Sequence, residues 1–151
     1  MTPFRTRIEH VDTDATGIVH FSRYASLLET AGLDDLETAG VGLAAFEAAG
    51  VDLVAVELRL RYRASAVYRD VVTGRSRVDH VGAAWFRIAV TLSREDGDGT
   101  AEPLVAGTLS FAAVDRGSRR PAALPSSLRT TLKGLTSNDE HHAHSSSGTA
   151  D

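Results

Sequence analysis

The chain has no cysteine. That excludes disulfides, thiolate metal ligands and a cysteine nucleophile, so any covalent chemistry must use oxygen or nitrogen. No apolar run approaches the ~20 residues that span a bilayer. The N-terminal stretch "MTPFRTRIEH" also lacks the apolar segment of a signal peptide. The expectation is a cytoplasmic protein with no membrane partner. An excess of one charge is missing as well. The formal net charge is -4, but Asp139, Glu140 and Asp151 stand in a tail without Lys or Arg, which leaves 17 acidic against 16 basic residues over 1–136. A near-neutral body has no general attraction for nucleic acid, and none is expected as a partner.

What is present suits one packed domain: 151 residues, 42% of them hydrophobic and 24% charged. The domain is expected over 1–136. The remaining "SNDEHHAHSSSGTAD" has no apolar period, so 137–151 is expected to be a disordered polar tail. His141, His142 and His144 in it lack the scaffold a specific metal site needs, so neither a metal nor a cofactor is expected.

Along the body, "FRTRIEHV" alternates well enough for a first strand, and an acidic, glycine-containing loop ends it. From Ser22 onward Tyr24, Leu27, Leu28, Ala31, Leu36 and Ala39 recur at helical spacing, a stripe interrupted only by Asp35. Ser22 is the expected N-cap and Gly40 the stop, with Gly32 marking close packing against a sheet. "GLAAFEAAG" between Gly42 and Gly50 supplies one or two further turns. "VAVELRLRYR" alternates Val54, Val56, Leu58, Leu60 and Tyr62, the expected core face, with Glu57, Arg59, Arg61 and Arg63. Residues 70–79 read as a weaker strand, and His80 as a turn residue. Phe86, Ile88, Val90 and Leu92 then Val105, Gly107, Leu109, Phe111 and Ala113 mark two more strands. A short terminal helix follows, with Leu128, Leu132 and Leu135 on one face. Four consecutive strands after one long helix, on short connections, give an α+β order with an antiparallel sheet.

The loop itself reads "RIEHVDTDATGIVHFSRY". It resembles the active-site segment of the 4-hydroxybenzoyl-CoA thioesterase family: an Asp, one residue, a second Asp, two residues, Gly, two apolar residues and a nearby Tyr. Those positions are Asp12, Asp14, Gly17, Ile18, Val19 and Tyr24. The order of elements over 4–116 is similar to the same family's hotdog fold, a long central helix wrapped by an antiparallel sheet of about five strands. The resemblance implies hydrolysis of an acyl or aryl thioester carried on coenzyme A or acyl carrier protein, with Asp14 as catalytic carboxylate. A carboxylate can attack the carbonyl as nucleophile or take a proton from an attacking water as general base, and the sequence leaves both open. Gly17, Val19, His20, Phe21 and Tyr24 would position substrate, with N–H groups at the helix start receiving the oxyanion. Such units pair as homodimers or homotetramers, which places an acyl pocket near Tyr24, Leu27 and Trp85.

Other readings stand beside these. Asp12 would orient the loop through backbone hydrogen bonds, and Tyr24 would pack in the core or touch substrate. Glu29 is either a solvated helix acid or a bond to the sheet or a second subunit. Arg59, Arg61, Arg63 and Arg69, and separately Arg116, Arg119 and Arg120, are either solvated or a landing site for coenzyme A phosphates or an acidic carrier protein. His20 beside Asp14 keeps a hotdog dehydratase or hydratase as an alternative, and a non-catalytic acyl-binding protein is another.

Overall fold

The structure, a computed structural model, describes residues 4–147, with side chains to residue 136. Its elements run β1 (Phe4–Arg7), α1 (Arg23–Thr38), α2 (Leu43–Ala48), β2 (Val51–Tyr62), β3 (Val71–Val81), β4 (Trp85–Glu95), β5 (Ala101–Asp115) and α3 (Ser126–Ser147). A single 3-10 turn, His10–Asp12, stands between β1 and α1. The five strands form one antiparallel sheet in the order β1-β3-β4-β5-β2. The helix α3 continues past residue 136; residues 148–151, and the side chains of His141, His142 and His144, lie outside the described residues.

Inner and outer sheet faces separate as the alternation predicts on β4 and β5. Phe86, Ile88, Val90 and Leu92 are buried beside Val105, Leu109, Phe111 and Ala113. The helix α1 lies on this inner face, where Leu28, Ala31 and Leu36 are buried. Gly32 is where α1 packs closely on the sheet: a Cβ there would run into the Ile88 side chain. Asp35 breaks the apolar stripe without cost to the core because the Ser76 hydroxyl of β3 donates to its carboxylate.

The end of α1 is fixed by its sequence. Gly40 has φ +79°. The Gly40 N–H then bonds the Glu37 carbonyl at 3.1 Å and the Val41 N–H the Leu36 carbonyl at 2.9 Å, a Schellman ending. The start differs from expectation. Ser22 precedes α1, but its backbone is helical, φ -72° and ψ -20°, and its hydroxyl caps nothing. An N-cap serine reaches back only from an extended backbone, which Ser22 lacks.

The expected core face of β2 also needs correction. Its pairing with β5 shifts between Ala55 and Glu57, so Val56 is an extra, bulged residue. Directly paired residues of an antiparallel ladder share a face. Leu58, Leu60 and Tyr62 oppose Leu109, Gly107 and Val105 and keep the inner face. Beyond the bulge the phase inverts: Ala55 opposes Phe111 and Leu53 opposes Ala113, which turns Val54 outward. Val54, Val56 and Leu58 are 38%, 59% and 43% exposed. His80 lies within β3, opposite Arg87, and its ring sits 4.8 Å from that of Trp85.

Candidate active site

Residues 12–19 form a compact loop whose shape follows from turn chemistry. The Gly17 N–H bonds the Asp14 carbonyl at 3.1 Å, the Asp14 N–H bonds the Ile18 carbonyl at 2.8 Å, and Gly17 has φ +85°. This is a three-residue hairpin connection, in which the residue at the positive φ is best a glycine. Thr13 and Val19 bridge at its base, and Ile18 bridges to Val67. Asp at the first turn position is favoured because its side chain can accept from the backbone two residues on. Asp14 does so: its Oδ1 accepts the Thr16 N–H at 2.8 Å and the Thr16 hydroxyl at 2.6 Å. The hydroxyl bond above all, then the N–H, holds the Asp14 carboxyl below the ordinary 3.8. One oxygen is thus occupied and the group is ionised at neutral pH. No partner is found for Oδ2 among the described residues.

Asp12 has a different post. It is buried, its Oδ2 accepts the Glu9 N–H at 2.8 Å, and its Oδ1 pairs with Nε of Arg23 at 2.8 Å. Its carbonyl accepts the His20 N–H at 2.8 Å. These bonds tie the loop to the first residue of α1, so Asp12 positions the segment that carries Asp14. The His20 N–H is spent on this tie, and its ring is exposed. At the same helix start, no acceptor is found among the described residues for the N–H groups of Phe21 and Ser22.

Tyr24 is buried, and its hydroxyl oxygen accepts the N–H of Ala66 at 2.8 Å. Ala66 is fully buried, and its carbonyl accepts the Val19 N–H at 3.0 Å. Loop, helix and the strand-following segment 63–67 are therefore latched at one residue. Burial pushes the Tyr24 hydroxyl above its ordinary 10.0. Tyr62 was legible only as a core-facing strand residue, yet its hydroxyl donates to the Phe21 carbonyl at 2.9 Å and its ring stacks on Phe21 at 4.4 Å.

Around these groups lies a cavity of about 310 Å³, lined among others by Asp14, Val19, Phe21, Tyr24, Tyr62 and Arg63. Phe21 is 72% exposed, an apolar ring at the cavity rim. Leu27 and Trp85, expected at an acyl pocket against a second subunit, do not line this cavity of the single chain. Leu27 is in the core. Trp85 opposes Ala112, whereas Tyr62 opposes Val105. Seven residues of strand put those ends about 24 Å apart.

The arginines divide. Arg59, Arg61 and Arg63 stand along the outer face and end of β2. Arg69 sits apart in a turn at φ +77°, its N–H bonded to the Ile8 carbonyl. Arg116 and Arg119 are at the far end of β2, already paired with Asp52 and, for Arg116, Glu47. Arg120 is exposed nearby and Glu29 is exposed on α1. No group of three or more metal-binding side chains occurs among the described residues. No described helix is long and apolar enough to cross a membrane.

Comparison with known proteins gives this geometry a lineage. A crystal structure of a hypothetical protein, TT1821 from Thermus thermophilus, superposes with a TM-score of 0.77 at 30% identity, over 89% of this chain and 96% of that one. A DHNA-CoA thioesterase from Staphylococcus aureus superposes at 0.82 over 93% and 94%, at 17% identity, a likeness of fold alone. The Synechocystis protein named "Putative esterase sll0410" is 32% identical over 112 residues, 72% of this chain; the chain spans 64% of that relative's length. A family match over residues 8–132 takes in the Asp-rich loop, α1, α2 and the four strands after them, and by it this chain, with its hotdog-like fold, belongs to the Thioesterase-like superfamily.

Proposed function

We propose that the chain hydrolyses an acyl or aryl thioester, with Asp14 as the working carboxylate. The observation that carries this is the division of labour at Asp14: Oδ1 is held by Thr16, Oδ2 has no partner among the described residues, and the residue lines a cavity beside the start of α1. An ionised carboxylate so fixed can do either of two things. It attacks the thioester carbon, forming an acyl anhydride and expelling the thiolate, or it takes a proton from a water that attacks instead. In both, negative charge grows on the carbonyl oxygen. The Phe21 and Ser22 N–H groups, without an acceptor among the described residues, and the positive end of the α1 dipole are suited to receive it. Gly17, Val19, His20 and Tyr24 then act through the loop's shape and the cavity wall.

The motif favours a place close to the 4-hydroxybenzoyl-CoA thioesterases within the superfamily, and residues 1–136 as the working unit. Coenzyme A is the favoured carrier, since a Staphylococcus aureus protein of the same fold is a DHNA-CoA thioesterase; an acyl carrier protein is the other candidate. A second copy would pair along β2, an edge strand of 12 residues with exposed Val54, Val56 and Leu58. Long apolar edges of that kind are ordinarily covered.

The test is thiol release from benzoyl, short-chain and long-chain thioesters, on coenzyme A and on carrier protein, by wild type and Asp14→Asn. Asn keeps an Oδ1 for the Thr16 donors, so the turn survives while charge and basicity are lost. A fall of about 10²-fold or more is expected. Equal release by both proteins would overturn the assignment of Asp14, and no release on any substrate would overturn the activity.

A further inference from the structure

The outer face of the sheet carries a groove of about 1060 Å³ that the candidate active site does not use. Its cross-section is set by register. Arg61 opposes Ala106, Ala106 opposes Thr91 and Thr91 opposes Arg75; one row along, Arg59, Thr108, Ala89 and Arg77 repeat the pattern. Two rows of small side chains on β4 and β5 thus form a floor, with arginines of β2 on one side and of β3 on the other. Three inter-strand spacings separate the walls, about 14 Å. An α-helix with its side chains is about 10–12 Å across.

Charge decides what could lie there. Six arginines line the groove, Arg59, Arg61, Arg63, Arg75, Arg77 and Arg87, against two acids, Glu57 and Asp79. That is a surplus of four positive charges on a chain whose formal net charge is -4. Glu57 pairs with Arg59, and Asp79 with Arg77 and Arg87. Among the described residues the guanidinium groups of Arg61, Arg63 and Arg75 have no partner. The free charge is therefore gathered at one end. A second copy laid symmetrically face to face would oppose like charges, because a two-fold contact sets the same patch against itself. Nucleic acid fits poorly, since no aromatic side chain among the described residues lines the groove for bases to stack on.

We infer that this groove is the docking site for an acidic α-helix of a partner protein, its carboxylates meeting Arg61 and Arg63 on one wall and Arg75 on the other. Bidentate pairing of guanidinium with carboxylate fixes the helix in register. Arg63 also lines the Asp14 cavity, so the acidic end of the helix arrives beside it. On the thioesterase reading, on which this last step alone rests, the partner is a carrier holding its acyl group by a thioester.

The probe is a fluorescein-labelled peptide of ~20 residues, long enough to be helical, with glutamates along two flanks and alanine between. Fluorescence anisotropy at low salt should show binding to wild type that weakens as salt rises. The double variant Arg61→Glu, Arg75→Glu should lose about tenfold or more of that affinity, while Arg120→Glu, outside the groove, should not. The double variant should gain affinity for a matching lysine peptide, which a misfolded protein would not. Asp14→Asn should bind the acidic peptide as wild type does, so docking and catalysis succeed or fail separately. No peptide binding, equal binding by the double variant, or displacement by coenzyme A or a single-stranded oligonucleotide that binds more tightly would overturn the inference.

Discussion

Removing one oxygen from Tyr24 isolates the latch at Ala66. Tyr24→Phe keeps the ring, so packing against Tyr62, 5.6 Å away between centroids, is retained and the cavity left is small. What is lost is the acceptor for the Ala66 N–H, bound at 2.8 Å on a residue with no exposed surface. A buried N–H left without a partner costs about 1–3 kcal/mol. For a domain of this size, with a denaturant slope of about 2 kcal/mol/M in urea, a loss near 2 kcal/mol moves the unfolding midpoint down by about 1 M. Equilibrium urea unfolding measures that shift, and amide hydrogen exchange at Ala66 should quicken in step. The pH dependence has a fixed sign. The folded pKa of Tyr24 is raised by burial, so its contribution is intact below pH 10 and lost as pH climbs through the folded value, a loss the Phe variant lacks. A midpoint shift under about 0.3 M, with unchanged exchange at Ala66, would refute the latch.

Two further outcomes test the loop and the sheet. Thr16→Val removes the hydroxyl donor that chiefly lowers the Asp14 pKa; the acid limb of the activity profile should move to higher pH, read from kcat/KM against pH. Gly107→Ala would press a methyl group against the Arg59 carbonyl and the Leu28 side chain. A carbonyl in a ladder cannot step aside, so a loss of about 1–3 kcal/mol is expected, seen as a Tm lower by roughly 3–10 °C.

What could be read beforehand was whatever depends on neighbours in sequence. The β4 and β5 faces, the glycine that ends α1 and the turn residues Asp14 and Gly17 all follow from local spacing and backbone preference. What could not be read depends on register. A bulge at Val56 has no residue signature, yet it inverts the facing of everything before it in β2. Trp85 read as available to a pocket beside Tyr24 until the ladder set it seven residues along β5 from Tyr62. The groove was visible only as its β2 wall, because Arg75 and Arg77 stand three strands across from Arg61 and Arg59. Tyr62 and Ala66 escaped as site residues for a similar reason: their partners, Phe21 and Tyr24, are about forty positions away.

Arg63 belongs to two walls at once, that of the outer groove and that of the Asp14 cavity. A single guanidinium cannot give its full set of donors to both sides. An anion that draws it outward takes positive charge from the cavity, and an anionic ligand within the cavity takes it from the groove. Thermodynamic linkage makes the two effects equal in free energy. Anionic ligands of the groove and of the cavity would thus compete for this one side chain.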